Sequence, residues 1–130
     1  MENAKNNVTV CVIGGTGFLG SHFLRLLERE NAIQVRILSR KGATHVPSPK
    51  HFQIIQGSLL DRESLMQFLV PRAIVINLAY LTTGLREDNL TAIDNLVYAC
   101  SVVGVRRLIH CSSAAVFGRV EYDVITESTV

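Results

Sequence analysis

Short runs of consecutive apolar residues alternate along this chain with longer stretches whose apolar positions recur every three or four residues. Val8–Ile13 (VTVCVI) is such a run, ending in glycines, and predicts a buried strand. Beyond the glycines, Leu19, Phe23, Leu26 and Leu27 recur at helical spacing, with Arg25, Glu28 and Arg29 off the stripe. Residues 33–38 (IQVRIL) predict a second strand, and residues 41–51, with Pro47 and Pro49, an irregular crossover. Residues 52–55 predict a third strand, after which Asp61 stands where an N-cap opens a helix through Leu69. Pro71 ends that helix, and residues 73–78 (AIVINL) predict a fourth strand. A longer helix runs from about Glu87 to Val102, stopped by Gly104, and residues 107–111 (RLIHC) predict a fifth strand leading into Ser112 and Ser113. Nearly continuous apolar strands alternating with helices imply a parallel sheet covered on both faces. Right-handed crossovers then make it a doubly wound α/β domain of about five strands spanning residues 1–130.

Gly14, Gly17 and Gly20 fall between the first predicted strand and the first predicted helix, in GGTGFLGSH. The first permits a tight turn, the second lets backbone approach a pyrophosphate, and the third lets helix and strand pack closely. The N–H groups and dipole of the helix start would attract the phosphates. The strand–turn–helix context is what gives this glycine spacing its meaning.

Composition narrows the picture in a few ways. Hydrophobic residues at 48% and charged residues at 18% mark a chain able to bury a core. A net charge of +2, without clustering, gives no reason to expect nucleic-acid binding. No apolar run approaches the roughly 18 residues of a membrane span, and the polar start MENAKNN does not read as a secretion signal. Cys11, Cys100 and Cys111 lie in apolar stretches without CxxC spacing, which predicts reduced core residues of a cytoplasmic protein. His22, His45, His51 and His110 show no metal-ligand spacing; structural roles are expected for His22 and His110, and exposure for the other two.

The loop reads GxxGxxG rather than GxGxxG, and at this point the chain resembles the extended short-chain dehydrogenase/reductase superfamily, the NAD-dependent epimerase/dehydratase group. The resemblance continues through NLAY (77–80), NLTAIDNL (89–96) and GVRRLIHCSSAAVFG (104–118), in that order. It implies a Rossmann-type domain binding a nicotinamide dinucleotide. Gly14, Thr16, Gly17, Phe18, Leu19 and Gly20 would lie at the phosphates, with Leu78, Ala79, Tyr80, Asn89 and Ser112 as further cofactor contacts. NAD-preferring relatives carry an acid after the second strand, where this chain has Ser39 followed by Arg40 and Lys41. Losing the acid and gaining two bases favours the 2′-phosphate of NADP, with NAD the alternative. Relatives also carry an aspartate and an apolar residue after the third strand to hold adenine; here Ser58 and Leu59 stand there, with Asp61 nearby but better suited to helix capping.

Ser113 matches the family serine that holds the reacting oxygen of the substrate. The family's acid/base tyrosine, with a lysine four residues beyond it to lower its pKa, lies farther past Ser113 than this chain reaches. Tyr80, Tyr98 and Tyr122 are not followed by lysine at that spacing, although VITEST (124–129) resembles the segment before the family tyrosine. The expectation is therefore an incomplete front half, inactive alone, of an oxidoreductase or sugar-nucleotide epimerase/dehydratase. Its small-molecule substrate would be chosen elsewhere, and 104–118 also looks like hydroxysteroid-dehydrogenase-type reductases. A non-catalytic NADP-binding or redox-sensing module is the rival reading. An uncovered fifth strand would favour self-association, a possible homo-oligomer.

Overall fold

The computed structural model describes residues 8–42, 49–82, 84–119 and 124–129. His45, Pro47 and Tyr122 lie outside these. The elements run β1 (Val8–Ile13), α1 (Phe18–Leu27), β2 (Ile33–Ser39), β3 (Phe52–Gln56), α2 (Arg62–Phe68), β4 (Ile74–Asn77), α3 (Arg86–Val103) and β5 (Arg107–His110). The strands form one parallel sheet in the order β3-β2-β1-β4-β5, the doubly wound α/β fold expected from the sequence. A 3-10 turn, Ala114–Phe117, follows β5 and had no signal in the apolar pattern.

The continuous apolar strands reflect burial on both faces. Val10 and Val12 of β1 join Val35 and Ile37 of β2 against Leu24 and Leu27 of α1. Cys11 and Ile13, one residue out of phase, face the other layer with Val75, Leu65, Phe68, Leu96 and Ala99 from β4, α2 and α3. Alternation along a single strand thus feeds two cores.

Helix ends follow the expected chemistry. The Asp61 carboxylate accepts from Glu63 N at 3.0 Å and caps α2. Gly104 adopts the left-handed conformation (φ 76°, ψ 49°) and donates to Cys100 O at 3.1 Å, ending α3. At the other end of α3, Asp88 Oδ2 accepts from Leu85 N at 2.9 Å, so the helix opens one residue before the expected Glu87. Arg36 of β2 donates to Phe68 O at 2.7 Å and Gln67 O at 2.9 Å, placing a cation at the carboxyl end of α2.

The buried stripe of α1 differs from the expected one. Gly20, Leu24 and Leu27 are buried, whereas Leu19 and Leu26 are 57% and 66% exposed. The helix is rotated by the need to seat Gly20 against the turn after β1, which turns Leu19 and Leu26 outward together, seven residues apart. Among the described residues no helix is long and apolar enough to cross a membrane.

Candidate functional site

The strand order reverses between β1 and β4, so the chain segments leaving these strands diverge and open a crevice at their carboxyl ends. The turn after β1 forms one wall. Gly14 has φ +80°, and a Cβ there would lie 2.8 Å from Ala79 N and Leu78 C. The two turns at the switch point therefore pass closer than a side chain permits. A Cβ on Gly20 would sit 2.0 Å from Gly14 O, so this glycine seats α1 on the turn. Gly17 differs: its nearest contact would be Gly14 O at 3.3 Å, and its outer side is open.

Helix α1 begins without a side-chain cap and without an acid in its first turn. The first intrahelical bond is Ser21 N to Gly17 O at 2.9 Å, so the N–H groups of residues 18–20 precede the ladder. Phe18 and Leu19 bring only backbone to this end, with the Phe18 side chain 81% exposed. The crevice beside it has a volume of about 210 Å³ and takes Gly14, Thr16 and Gly17 as one wall.

The opposite wall is built from the ends of β2 and β3. Buried Ser39 donates from Oγ to Gly42 O at 3.0 Å and closes the turn that carries Arg40 and Lys41. Ser39, Arg40 and Lys41 line a side lobe of about 330 Å³ with Thr16 and Gly42. Ser58 and Leu59 line the main crevice. Ser58 Oγ accepts from Leu60 N at 3.2 Å, and its backbone is held by Ser64 Oγ at 3.0 and 3.1 Å. The exposed Asp61 carboxylate caps α2 and is not among the crevice residues.

Leu78, Ala79 and Tyr80 complete the floor, and Ala79 and Tyr80 continue it into a second cleft of about 340 Å³. This cleft runs over Asn89 and Ile93 of α3 to His110, Ser112 and Ser113, and its surface is mainly apolar. The Asn89 amide grips the Leu81 backbone twice at 3.0 Å, accepting from N and donating to O, so it shapes the shared floor. Ser113 Oγ accepts from Ala115 N at 3.2 Å and caps the 3-10 turn. Of the expected cofactor and substrate contacts, Phe18, Leu19 and Gly20 lie outside these linings, as does Asp61, and Gly20 acts through packing.

Several supporting residues escaped the sequence. Gly57 is one: a Cβ there would meet Ser64 at 2.7 Å. Asn95 is another; its Nδ2 donates to Leu59 O at 3.0 Å and its Oδ1 accepts from Arg62 Nε at 2.7 Å. Arg62 in turn stacks over the Tyr98 ring at 4.5 Å. The available signal was an asparagine on the buried stripe of Ala92, Leu96 and Ala99, where a polar group needs partners. Asn77 is fully buried; its Oδ1 accepts from Ala79 N at 3.0 Å and its Nδ2 meets His110 Nδ1 at 3.1 Å.

Two expectations are corrected. Cys111 is exposed rather than core, because the chain leaves the sheet after His110; Cys11 and Cys100 are buried. Burial pushes the Cys11 thiol up to about 11 despite the opposing Arg36 charge, and also raises Cys100. His51 is half-buried rather than exposed, with Nε2 3.2 Å from Leu27 O and its ring edge-on to Phe52.

The UDP-glucose 4-epimerase of Lactobacillus helveticus is 31% identical over 137 residues, which cover 92% of this chain and 40% of that protein. Among solved structures, Bordetella bronchiseptica WbmG in complex with NAD superposes with a TM-score of 0.79 at 20% identity, covering 99% of this chain and 45% of that one. The Thermus thermophilus UDP-glucose 4-epimerase complex with NAD gives 0.73 at 28% identity, covering 94% and 43%. The chain thus spans less than half the length of each of these proteins. The pattern of the NAD dependent epimerase/dehydratase family matches residues 10–130, and the chain belongs to that family.

Proposed function

We propose that this chain is the nicotinamide-dinucleotide-binding part of an enzyme that oxidises or reduces an oxygen-bearing carbon, with a sugar nucleotide as the substrate class and NADP preferred to NAD. The observation that carries the reading is the crevice at the switch point, floored by Gly14 against Ala79 and open beside Gly17. A Cβ at position 17 would project where a phosphate must come close to backbone. The uncapped N–H groups of residues 18–20 offer donors to a pyrophosphate, which explains how Phe18 and Leu19 serve with their side chains in solvent.

The remaining contacts follow from the walls. Ser58 Oγ already accepts from Leu60 N and keeps a proton to donate to adenine, with Leu59 against the ring. Arg40 and Lys41, on the turn that Ser39 closes, would pair with a 2′-phosphate in the side lobe. When bound, the nicotinamide accepts or supplies the hydride. Ser113 accepts its internal hydrogen bond from Ala115, so its own proton is available to hold the substrate oxygen. The tyrosine and lysine that would move the proton in the family are not provided at the required spacing by Tyr80, Tyr98 or Tyr122. The chain alone is therefore expected to bind cofactor without turning over substrate.

Titration with NADPH and NADH, followed by nicotinamide fluorescence, tests this. Tighter binding of NADPH is expected, with Arg40→Gln/Lys41→Gln weakening NADPH by roughly tenfold or more and NADH little, the worth of a lost charge-assisted bond. Failure of both cofactors to bind a folded chain would sink the reading. Binding that ignores the two substitutions would remove the NADP preference alone.

A further inference from the structure

The second cleft contains a histidine whose ring orientation and proton are fixed by its surroundings. Asn77 and His110 are register partners on the adjacent strands β4 and β5. The Ala79 N–H points at one end of the Asn77 amide at 3.0 Å, and only Oδ1 can accept it. The other end, 3.1 Å from His110 Nδ1, is therefore the NH₂ group, which can only donate. Nδ1 must be the acceptor, so neutral His110 carries its proton on Nε2. His110 is exposed on the wall of the cleft that also holds Ser112 and Ser113, a cleft that is otherwise mainly apolar.

We propose that His110 is a substrate-positioning residue, whose Nε2–H, set by the Ala79–Asn77–His110 chain, donates to an oxygen of the sugar nucleotide held in this cleft. The proposal rests on the functional reading above and deepens it by adding a second donor beside Ser113. Asparagine here plays the orienting part that a carbonyl or carboxylate plays for other histidines, with the opposite sense: an NH₂ donor selects the Nε2–H form, whereas an acceptor selects Nδ1–H. A donor on the wall of an apolar cleft discriminates strongly for ligands that can pair with it.

Nitrogen-15 NMR of the 130-residue chain, above the imidazole titration range, reads the proton position directly. The result expected is a proton on Nε2 and a deshielded, unprotonated Nδ1. Millimolar UDP-glucose, the probe, should shift the His110 ring signals. The His110 ring is exposed, but His110→Phe leaves the buried Asn77 amide without its acceptor, so the folding of each variant is checked first by urea unfolding. His110→Gln retains an acceptor for Asn77 and a donor for the cleft and should keep affinity within about threefold, whereas His110→Phe should lose about fivefold or more, as befits one hydrogen bond. A proton on Nδ1, unshifted His110 signals, or any other ordering of the three affinities overturns the proposal. Parallel NADPH titration separates the two readings. Absent NADPH binding counts against the cofactor site, while the ring proton and the probe response still decide the role of His110.

Discussion

Gly17 and Gly20 stand three residues apart in one loop and answer to different constraints. At Gly20 an added methyl would lie 2.0 Å from Gly14 O and 2.6 Å from Gly15 Cα, both backbone atoms that cannot swing aside. Gly20→Ala should therefore cost about 1–3 kcal/mol of folding stability, the usual penalty for overpacking, readable as a lower urea midpoint. Gly17→Ala meets one atom at 3.3 Å and should fold normally while weakening NADPH binding. Equal effects of the two on stability would contradict this division. The thiols separate in the same residue-by-residue way. Exposed Cys111 should react with a disulfide reagent in the native state, with Cys11 and Cys100 reacting only on unfolding. Cys11 also makes stability pH-dependent: its folded pKa of about 11 exceeds the ordinary 9.0. Its contribution is full below pH 9.0, where both states hold the proton, and falls by about 1.4 kcal/mol per pH unit as the unfolded chain ionises toward the folded value. Cys11→Ala should flatten that alkaline limb in urea unfolding measured from about pH 8 to about pH 11; an unchanged limb would assign it to other groups.

Helix α1 shows where an element can be read from sequence and where it cannot. Its existence was legible, because the glycines and the apolar recurrence both point to it, but the helix begins at Phe18 and takes in Gly20, which the sequence pattern had placed before it. Its rotation was not. Leu19, Phe23, Leu26 and Leu27 form a plausible stripe, and nothing local says that Gly20 must face inward. That is decided by the approach to Gly14 O, a contact with the preceding turn. Leu24→Ala should consequently cost about 2–5 kcal/mol, and Leu26→Ala about 0.5 kcal/mol or less. Similar losses at both positions would restore the sequence-based stripe. The site divides along the same line. The glycine loop, Ser39–Lys41, Ser58 and Ser113 were legible as residue types in a known order. Asn77 and Asn95 act through partners 33 and 36 residues away, and Gly57 through its approach to Ser64 on the next helix, contacts that only the fold brings together.

At the scale of the whole molecule, the two edges of the sheet are unequal. Strand β3 ends the sheet with Phe52 buried and Ile54 and Ile55 half-buried, its exposed positions being the polar Gln53 and Gln56. Strand β5 has Leu108 half-buried and Arg107, Ile109 and His110 exposed, with Ile109 46% exposed on the outermost strand. Val97, Tyr98 and Val102 of α3 and Val116 after β5 add further exposed apolar surface. An open strand edge presents unpaired backbone groups, and an apolar side chain there invites a second chain to pair; a lysine discourages it. The net charge of +2 supplies little repulsion between copies. The chain should therefore self-associate, with a weight-average mass that rises with concentration in sedimentation velocity. Ile109→Lys should lower that association at unchanged stability, since the side chain it replaces is already half in solvent. A concentration-independent 14.3 kDa species would show that the charged and polar neighbours of Ile109 are enough to protect the edge. Association unaffected by Ile109→Lys would move the contact from β5 to the exposed face of α3, where Tyr98→Lys becomes the substitution that separates the copies.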